Sequence, residues 1–368
     1  MNNKKVLLLT NETSTVLNFR KEFIQYLLKH NNTVIVISGD KVKEQEIKEM
    51  GVQFECVEFS NRSKNPFHFL SLKNKFCNAI KKYNPDIVFT FQIKPNIVGC
   101  MSSKKAGIKN VFSMVEGLGD PFQPKTFIDR LVLKIIILLY RKAFKNARLI
   151  FFLNDYDKEV FIKRKIIKEE KSIVINGIGI DTLANSLNDS LTLEKNVLML
   201  SRLLINKGVL DYCALAKEVR KTRKDIKFYL YGKESQLKVS DIKSFIDSGD
   251  VVYGGEINEV EQAYKNSRIY VSTSYREGFP RTLLEAMAFG IPTFATDVIG
   301  NNSAIINNET GYLFELKNIK SFADAIINKI DDTDDLNRIR IAARKRCESE
   351  FDSNVINRKI EELIEKNI

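Results

Sequence analysis

The sequence predicts an α/β fold made of two Rossmann-like halves, each a parallel sheet covered by helices. Two observations support this prediction. Short apolar runs alternate with longer segments in which apolar residues recur at helical spacing. This alternation stops once, near residues 176–195, and then begins again. Because alternating strands and helices form parallel sheets, we expect two such sheets that face a cleft.

The first half should contain seven strands, because seven short apolar runs are bounded by polar or turn-forming residues. They are expected at residues 6–9, 33–38, 52–59, 86–91, 111–115, 149–153 and 172–175. Helical periodicity predicts helices between the strands, including one with Phe19, Phe23, Tyr26 and Leu27 on one side. The others are expected at residues 66–83, 96–105, 127–146 and 157–165.

Residues 176–195 contain Gly177, Gly179 and several Asn and Ser residues with little periodicity, which is typical of a linker. Further strands are expected at residues 197–200, 227–231, 251–253, 268–272, 293–295 and 312–314. Helices are expected at residues 208–220, 240–247 and 259–266, after the glycine-rich loop near residue 278, and beyond residue 319. The predicted domains are therefore residues 1–175 and 196–349. A last helix at 350–368 is expected to pack back on the first domain.

Composition disfavours several classes of protein. The chain has 368 residues, enough for two domains, but it has 2 His and no Trp. A His-based metal site or a Ser-His-Asp triad is therefore not expected. Its 5 Cys are scattered without a CxxC pair, which fits a reducing compartment. No apolar run approaches the roughly 20 residues that span a bilayer, and MNNKKVLLLT predicts a strand rather than a signal peptide.

Positive charge is concentrated in the first half of the chain. Residues 1–185 carry 31 Lys and Arg against 18 Asp and Glu, a net charge of +13, whereas the remainder carries 27 against 28, a net charge of −1. A basic face can meet nucleic acid, an anionic membrane or an acidic substrate. Alternatively, the excess of Lys and Arg reflects a source genome that encodes lysine-rich proteins.

Residues 275–290, YREGFPRTLLEAMAFG, predict a loop followed by a helix. Pro280 suits the first helical position, and Gly290 suits the left-handed turn that ends a helix. Glu277 should then lie in the loop and Glu285 more than one turn inside the helix. A glycine loop at a helix N-terminus favours anions, so the two carboxylates beside it predict a ligand with phosphates and hydroxyls. An ordinary amphipathic helix with Glu285 paired to Arg281 is the alternative.

Two cations follow the first strand of the second half, in the segment SRLLINKG at residues 201–208. Arg202 offers a planar fork to phosphate, and Lys207 offers a mobile point charge. We expect both on the loop that leaves the strand, where parallel sheets place ligands. The alternative is a pair of solvated surface cations.

The combination S-R-x4-K-G, E-G-F-P-x4-E-A-M-A-x-G-x-P and T-D-x2-G resembles the family 4 retaining glycosyltransferases, which have the GT-B fold. This resemblance covers roughly residues 197–315. In the first half, IKPN at 93–96 and EGLG at 116–119 resemble a branch that builds bacterial O-antigen, capsule or N-linked oligosaccharides. Such enzymes add a hexose or an N-acetylhexosamine to a polyprenyl-diphosphate-linked acceptor.

The resemblance implies a role for each matching position. Arg202 and Lys207 would hold the donor diphosphate, Glu277 the hydroxyls of the transferred sugar, and Glu285 the ribose hydroxyls. The main chain at Gly278, Phe279 and Pro280 would meet the sugar or its phosphate. Loops at Gly232, Lys233 and 254–258 would contact the base. The acceptor-side candidates are Lys94, Asn96, Gly117 and Gly119.

The chain departs from the family pattern in two places. Many relatives carry a histidine where Glu116 stands, and residues 89–96 contain Gln92 and Lys94 but no histidine. Glu116 is therefore the expected group beside the reacting carbon, together with Arg202, Lys207 and Glu277 as catalytic residues; the alternative is a strand-end acid that caps the glycine turn. After Thr296-Asp297 the sequence also differs, so no catalytic role is assigned to residues 299–304.

Two other patterns have a structural explanation. Asp155-Tyr156-Asp157 matches the D-x-D of metal-dependent transferases, but Asp before a helix caps its N–H groups. The helix from 127 to 148 combines apolar bulk with a basic C-terminal end. It can lie in a membrane interface, or it can be a core helix whose last cations suit the helix dipole.

Together these features predict a retaining glycosyltransferase that uses a nucleoside-diphosphate sugar, with UDP as the expected nucleotide and no metal or other cofactor. Its expected location is cytoplasmic, peripheral at the inner face of the cell membrane. Expected partners are the donor, a lipid-linked glycan acceptor and the anionic membrane surface, but not nucleic acid. The alternatives are a GT-B-fold UDP-N-acetylglucosamine epimerase and a non-enzymatic basic protein that binds nucleic acid.

Overall fold

The computed structural model of the chain describes residues 1–59, 66–185, 190–257 and 259–368. These residues form two compact units. Unit 1 comprises Met1–Gly179 and Ser353–Ile368, and unit 2 comprises Ile180–Asp352. Each unit contains one sheet in which every strand pair is parallel, which confirms the predicted α/β class with two Rossmann-like halves.

The sheet of unit 1 has seven strands in the order β3-β2-β1-β4-β5-β6-β7. The strands are β1 (Lys5–Leu9), β2 (Thr33–Ser38), β3 (Gln53–Cys56), β4 (Ile87–Phe91), β5 (Val111–Val115), β6 (Leu149–Phe152) and β7 (Ser172–Val174). All residues of β4, β5 and β6 are buried, as expected of central strands covered on both faces. The strand order reverses between β1 and β4.

Helices connect these strands. They are α1 (Thr13–Phe19), α2 (Lys21–Lys29), α3 (Glu44–Glu49), α4 (Pro66–Tyr83), α5 (Cys100–Ala106), α6 (Phe127–Phe144) and α7 (Asp155–Lys163). Two features differ from the sequence-based prediction. The first helical segment breaks at Arg20, whose ψ of −7° separates α1 from α2. The short helix α3 was not predicted, because Ile47 is its one buried residue and gives no helical periodicity.

The sheet of unit 2 has six strands in the order β10-β9-β8-β11-β12-β13. They are β8 (Asn196–Leu200), β9 (Lys227–Tyr231), β10 (Val252–Tyr253), β11 (Ile269–Ser272), β12 (Thr293–Thr296) and β13 (Tyr312–Phe314). The helices are α8 (Val209–Arg220), α9 (Val239–Asp247), α10 (Val260–Lys265), α11 (Arg281–Ala288), α12 (Asn301–Ala304), α13 (Ile319–Lys329) and α14 (Thr333–Arg346). Here the strand order reverses between β8 and β11.

Unit 2 is inserted into unit 1, so the chain leaves unit 1 after Gly179 and returns at Ser353. The two ends of unit 2 lie side by side, because Ile180 and Asp352 form a parallel bridge. Thr182 Oγ1 also donates to Asp352 Oδ2 at 2.6 Å. Within the predicted linker, residues 180–185 and 190–195 thus lie in unit 2, and residues 186–189 lie outside the described part of the chain.

The last helix, α15 (Ser353–Glu365), is part of unit 1. Tyr26 on α2 donates its hydroxyl to Glu361 Oε2 at 2.6 Å, and the N-terminal ammonium of Met1 contacts Glu361 Oε1 at 2.5 Å. These contacts fasten α15 beside α2 and the N-terminal residue. Among the helices in the described ranges, none is both long enough and apolar enough to cross a membrane.

Candidate functional site

The ends of β8 and β11 bring a lysine and a glutamate together in unit 2. Lys207 closes a 3₁₀ turn after β8, and Glu277 lies in the loop after β11. The Lys207 Nζ is 2.6 Å from Glu277 Oε1 and 2.7 Å from Oε2, and Ser274 Oγ donates to Oε1 at 2.6 Å. The pair therefore lies where the strand order reverses, the position at which parallel sheets bind ligands.

This ion pair is only partly shielded from water, since the side chains of Lys207 and Glu277 are 28% and 12% exposed. An ammonium has three N–H donors, and Glu277 occupies two of them. The third can bind a ligand anion without breaking the pair. An ionised carboxylate has about four acceptor positions, so Glu277 retains capacity for a ligand hydroxyl.

Two glycines allow the loops around this pair to approach closely. A Cβ on Gly208, at φ +67°, would lie 1.9 Å from the carbonyl oxygen of Thr273. A Cβ on Gly300, at φ +92°, would lie 2.6 Å from the Cβ of Glu277. Glu277 N also donates to Ile299 O at 2.9 Å, so the loops after β8, β11 and β12 are held together. Gly300 was not a predicted site residue, although it is the glycine of the T-D-x2-G motif.

The helix α11 begins directly after this loop. Pro280 is its N-cap rather than its first residue, because its ψ of 90° lies outside the helical range while its carbonyl accepts from Leu283 and Leu284 N–H. Its ring cannot cap the helix through a side-chain hydrogen bond, and the first turn carries no acidic residue. The positive end of the helix dipole is therefore left for a ligand. Phe279 packs edge-on against Phe351 and anchors the loop.

Glu285 lies one turn inside α11, as its spacing predicted, with 15% of its side chain exposed. Arg281 Nε lies 3.0 Å from Glu285 Oε1, so the helical pair considered as the alternative is present. A second partner was not predicted: the hydroxyl of the buried Tyr264 lies 3.0 Å from Glu285 Oε2 and 2.8 Å from the carbonyl oxygen of Thr282, so the two acceptors share its one proton. Burial raises the pKa of Tyr264 well above its usual value, so it remains a protonated donor that fixes the carboxylate.

The other predicted donor-binding residues lie on neighbouring strand ends. Arg202 is exposed, and its guanidinium forms no ion pair with any described residue. Gly232 follows β9, and a Cβ there would lie 1.9 Å from the carbonyl oxygen of Ser201, so it packs against the turn that carries Arg202. Lys233 is exposed and lies 3.8 Å from Glu256. Of the predicted base-contacting loop, residue 258 lies outside the described ranges.

Unit 1 has its own polar network at the point where its strand order reverses. Glu116 directly follows β5 and pairs with the guanidinium of Arg20, which is 2% exposed. Gln92 follows β4 and donates its amide to Glu116 Oε2 at 2.8 Å. Its Oε1 accepts from Thr10 Oγ1 and Asn11 N, each at 3.1 Å. Glu116 thus joins the ends of β1, β4 and β5, which differs from the alternative prediction of an acid that caps the glycine turn.

The acceptor-side candidates divide into two groups. Asn96 is buried: its Oδ1 accepts from Thr90 Oγ1 at 2.7 Å and its Nδ2 donates to Met114 O at 2.9 Å. Its side chain therefore serves packing inside unit 1. Lys94 is half-buried, and burial lowers its pKa. Gly117 has open space where a Cβ would stand, and Gly119 has φ +68°.

The D-x-D segment, Asp155-Tyr156-Asp157, forms the first turn of α7. Asn154 is the N-cap and accepts from Asp157 N at 2.9 Å, while Asp157 is 1% exposed and accepts from the Asn154 amide at 3.2 Å. The motif therefore belongs to a helix terminus, as predicted, but the predicted capping by Asp is wrong, because Asn154 caps the helix. In the part of the chain that the structure describes, no group of three His, Cys, Asp or Glu is placed to hold a metal ion.

Comparison with known proteins finds similarity to glycosyltransferases in both units. Residues 5–154 match the family model Glycosyl transferase 4-like, and residues 188–346 match Glycosyl transferases group 1. The chain is 29% identical, over 98% of both chains, to N,N'-diacetylbacillosaminyl-diphospho-undecaprenol alpha-1,3-N-acetylgalactosaminyltransferase of Campylobacter jejuni. It is 28% identical to UDP-Gal:alpha-D-GlcNAc-diphosphoundecaprenol alpha-1,3-galactosyltransferase of Escherichia coli, over 69% of this chain and 68% of the relative.

Solved structures give the same fold. The Anabaena protein HepE in complex with UDP and glucose superposes with a TM-score of 0.83 at 19% identity, over 99% of this chain and all of the other. The two Rossmann-like units therefore have the arrangement of the GT-B fold. Both family models describe glycosyl transferases and together they span most of the chain, so the protein is a glycosyltransferase.

Proposed function

We propose that this glycosyltransferase is a retaining enzyme that moves a hexose or an N-acetylhexosamine from a UDP-sugar to a polyprenyl-diphosphate-linked glycan. The observation that carries the proposal is the Lys207–Glu277 pair at the mouth of α11, with Glu285 one turn further on. The acceptor class is supported by the activities of the relatives from C. jejuni and E. coli, whose acceptors are linked to diphospho-undecaprenol. The product would serve bacterial surface polysaccharide or glycan assembly.

The donor diphosphate is met by three sources of positive potential in unit 2. Lys207 offers its third N–H, Arg202 offers an exposed planar fork, and α11 offers the N-terminal end of its dipole. Charge on the leaving phosphate grows as the sugar departs. Preorganised cations stabilise that charge more in the transition state than in the ground state, and this difference accelerates transfer.

The two carboxylates bind hydroxyl groups rather than transfer protons. Glu277 is fixed by Lys207 and Ser274, so its remaining acceptor capacity points to the sugar hydroxyls. Glu285 is fixed by Arg281 and Tyr264, and it takes the ribose hydroxyls in the same way. A diol donates two hydrogen bonds, which suits a carboxylate that is already oriented.

Retention follows from attack on the face from which the diphosphate leaves. The acceptor hydroxyl oxygen forms the new bond to the anomeric carbon while the bond from that carbon to the phosphate oxygen breaks. The departing phosphate oxygen takes the hydroxyl proton, and UDP is released with its charge held by Lys207 and Arg202. For Glu116 we retain the proposal that it acts beside the reacting carbon.

We further propose that transfer needs no metal ion, because the cations and the α11 dipole can compensate the diphosphate charge. Activity should then persist after incubation with EDTA and not rise on adding Mg²⁺ or Mn²⁺. We also propose peripheral association with the inner face of the cell membrane, where a polyprenyl-linked acceptor would lie. The basic first half of the chain supports this location.

The proposal is tested with a panel of nucleotide sugars and an acceptor that carries a sugar on a short polyprenyl diphosphate. The expected result is a mass increase of one hexose or N-acetylhexosamine with one UDP-sugar, and an anomeric coupling in the product that matches the donor. A product of inverted configuration overturns the retaining mechanism. No calorimetric binding of UDP or any other nucleotide, or epimerisation of UDP-N-acetylglucosamine without transfer, overturns the transferase assignment of this site.

A further inference from the structure

One face of α6 in unit 1 exposes large apolar side chains to solvent. The exposed fractions are 82% for Phe127, 68% for Ile128, 53% for Leu131, 50% for Ile135 and 60% for Leu138. These residues recur three or four positions apart, so they line one side of the helix, and we refer to them as the α6 stripe. Contiguous apolar surface of this kind marks an interaction site more often than a plain solvated surface.

The stripe is distinct from the face that packs on the core of unit 1. The buried residues of α6 are Leu133, Tyr140, Ala143 and Phe144. At 100° per residue, these four positions point away from the stripe, on the opposite side of the helix. The two explanations of this segment that the sequence left open therefore apply to different faces. Core packing accounts for one face, and the stripe still needs a partner.

The charges around the stripe indicate what that partner is. Four exposed cations lie on or beside it: Arg130, Lys134, Lys142 and Lys145. The one acid of α6 is Asp129, which accepts from Thr126 N at 2.9 Å in the capping box and so serves the helix terminus. Residues 130–148 contain no acid at all. Along its own helix the apolar stripe is edged by cations, which matches a surface that is apolar inside and negatively charged at its boundary.

We infer that the α6 stripe docks unit 1 on a bilayer that contains anionic phospholipid, with the helix lying in the plane of the interface. The stripe extends over Phe127–Leu138, about 17 Å at about 1.5 Å per residue, which suits a helix lying on a membrane. The apolar side chains enter the boundary between headgroups and acyl chains, while the lysine stems extend to the phosphates. This inference rests on the proposed function and deepens it, because an enzyme with a lipid-linked acceptor must reach the membrane that holds the acceptor.

The test is flotation of the purified full-length chain with vesicles, without donor or acceptor. Vesicles of phosphatidylcholine with phosphatidylglycerol should bind the wild type, and pure phosphatidylcholine vesicles should bind it at least about tenfold less, because the cations lose their partners. The variant Leu131→Gln/Ile135→Gln/Leu138→Gln should bind mixed vesicles about a hundredfold more weakly, since three exposed apolar side chains no longer leave water. All three positions are exposed, so the variant should fold normally.

Matched controls separate the stripe from general surface properties. Val42, Leu183 and Val252 are exposed apolar residues elsewhere, and their replacement by Gln should leave vesicle binding within about twofold. Replacing Lys134, Lys142 and Lys145 by Gln should weaken binding to mixed vesicles at least about tenfold. The same change at Lys217, Lys224 and Lys227, exposed lysines of unit 2, removes equal charge and should have little effect.

Three outcomes would overturn the inference. The wild type fails to bind mixed vesicles, the stripe variant binds as well as the wild type, or the stripe variant converts a dimer to a monomer in the absence of lipid. The last outcome would make the stripe an interface between copies of the chain. Calorimetric UDP binding and transfer to a water-soluble acceptor should be unchanged in the stripe variant. If the wild type neither binds UDP nor transfers a sugar, the proposed function is refuted instead.

Discussion

Gly300→Ala is expected to damage the donor site through the backbone of Glu277. The new Cβ would lie 2.6 Å from Glu277 Cβ and 2.8 Å from its carbonyl oxygen, whereas ordinary contact begins at 3.4 Å. Relief of the first contact alone requires a shift of 0.8 Å, the difference between 3.4 and 2.6 Å. A misplacement of about 1 Å can cost about a hundredfold in rate, so kcat/KM for the UDP-sugar should fall by about that factor.

The same substitution also places a side chain at φ +92°, a conformation that L residues rarely adopt. Strain of this kind costs about 1–3 kcal/mol, which should appear as a lower melting temperature of unit 2. Gly249→Ala is the control, because it too has a positive φ, of +73°, but nothing lies within 4 Å of its Cβ. It should lose stability and retain kcat/KM. Equal kinetic losses in both variants, or wild-type kinetics for Gly300→Ala, would refute the steric argument.

Two further substitutions test the partners of the carboxylates. Tyr264→Phe removes a hydroxyl that fixes Glu285, and it should weaken calorimetric UDP binding by about fivefold to thirtyfold. This range is equivalent to about 1–2 kcal/mol, a part of the roughly 1.5–3 kcal/mol that a hydrogen bond to a charged group contributes. Glu116→Gln removes the carboxylate charge that pairs with the buried guanidinium of Arg20, so it should lower the free energy of unfolding of unit 1 by about 3 kcal/mol in chemical denaturation.

Each of these variants has a matched control. Tyr212→Phe also removes a buried hydroxyl in unit 2, one that donates to Val197 O and Tyr229 O, and it should cost stability without changing UDP affinity. Glu55→Gln breaks an ion pair with the exposed Lys82, and it should change the free energy of unfolding far less than Glu116→Gln does, because water screens the pair. A Glu116→Gln protein as stable as the wild type would show that Arg20 does not depend on this carboxylate.

Periodicity predicted the architecture well because both sheets are fully parallel. Strands of this kind are buried on both faces and appear as short continuous apolar runs, of which β4 and β8 are clear cases. The loops that carry Lys207 and Glu277 could also be placed, since each directly follows such a run. The sequence does not show that the Lys207 and Glu277 side chains contact each other. The strand order explains this contact, because β8 and β11 are neighbours in the sheet.

The partners of the site residues were harder to foresee. Arg20 falls within an apolar helical pattern, and nothing in its neighbourhood indicates that the helix breaks there and directs its guanidinium to Glu116. The apolar pattern predicts Tyr264 as a core residue, and it is buried. Its hydroxyl nevertheless contacts Glu285. Contacts between distant elements depend on how helices lie on the sheet, and local spacing carries no information about that.

The paired ends of unit 2 make it a separable module. Ile180 and Asp352 form a β-bridge, and the Thr182 hydroxyl donates to the Asp352 carboxylate. The first and last residues of the segment 180–352 are therefore neighbours. A segment with adjacent ends can be cut out or transplanted without leaving a gap that the remaining chain must span. If unit 2 selects the donor, exchanging residues 180–352 between relatives offers a direct way to give this protein a new donor sugar while the rest of the chain is untouched.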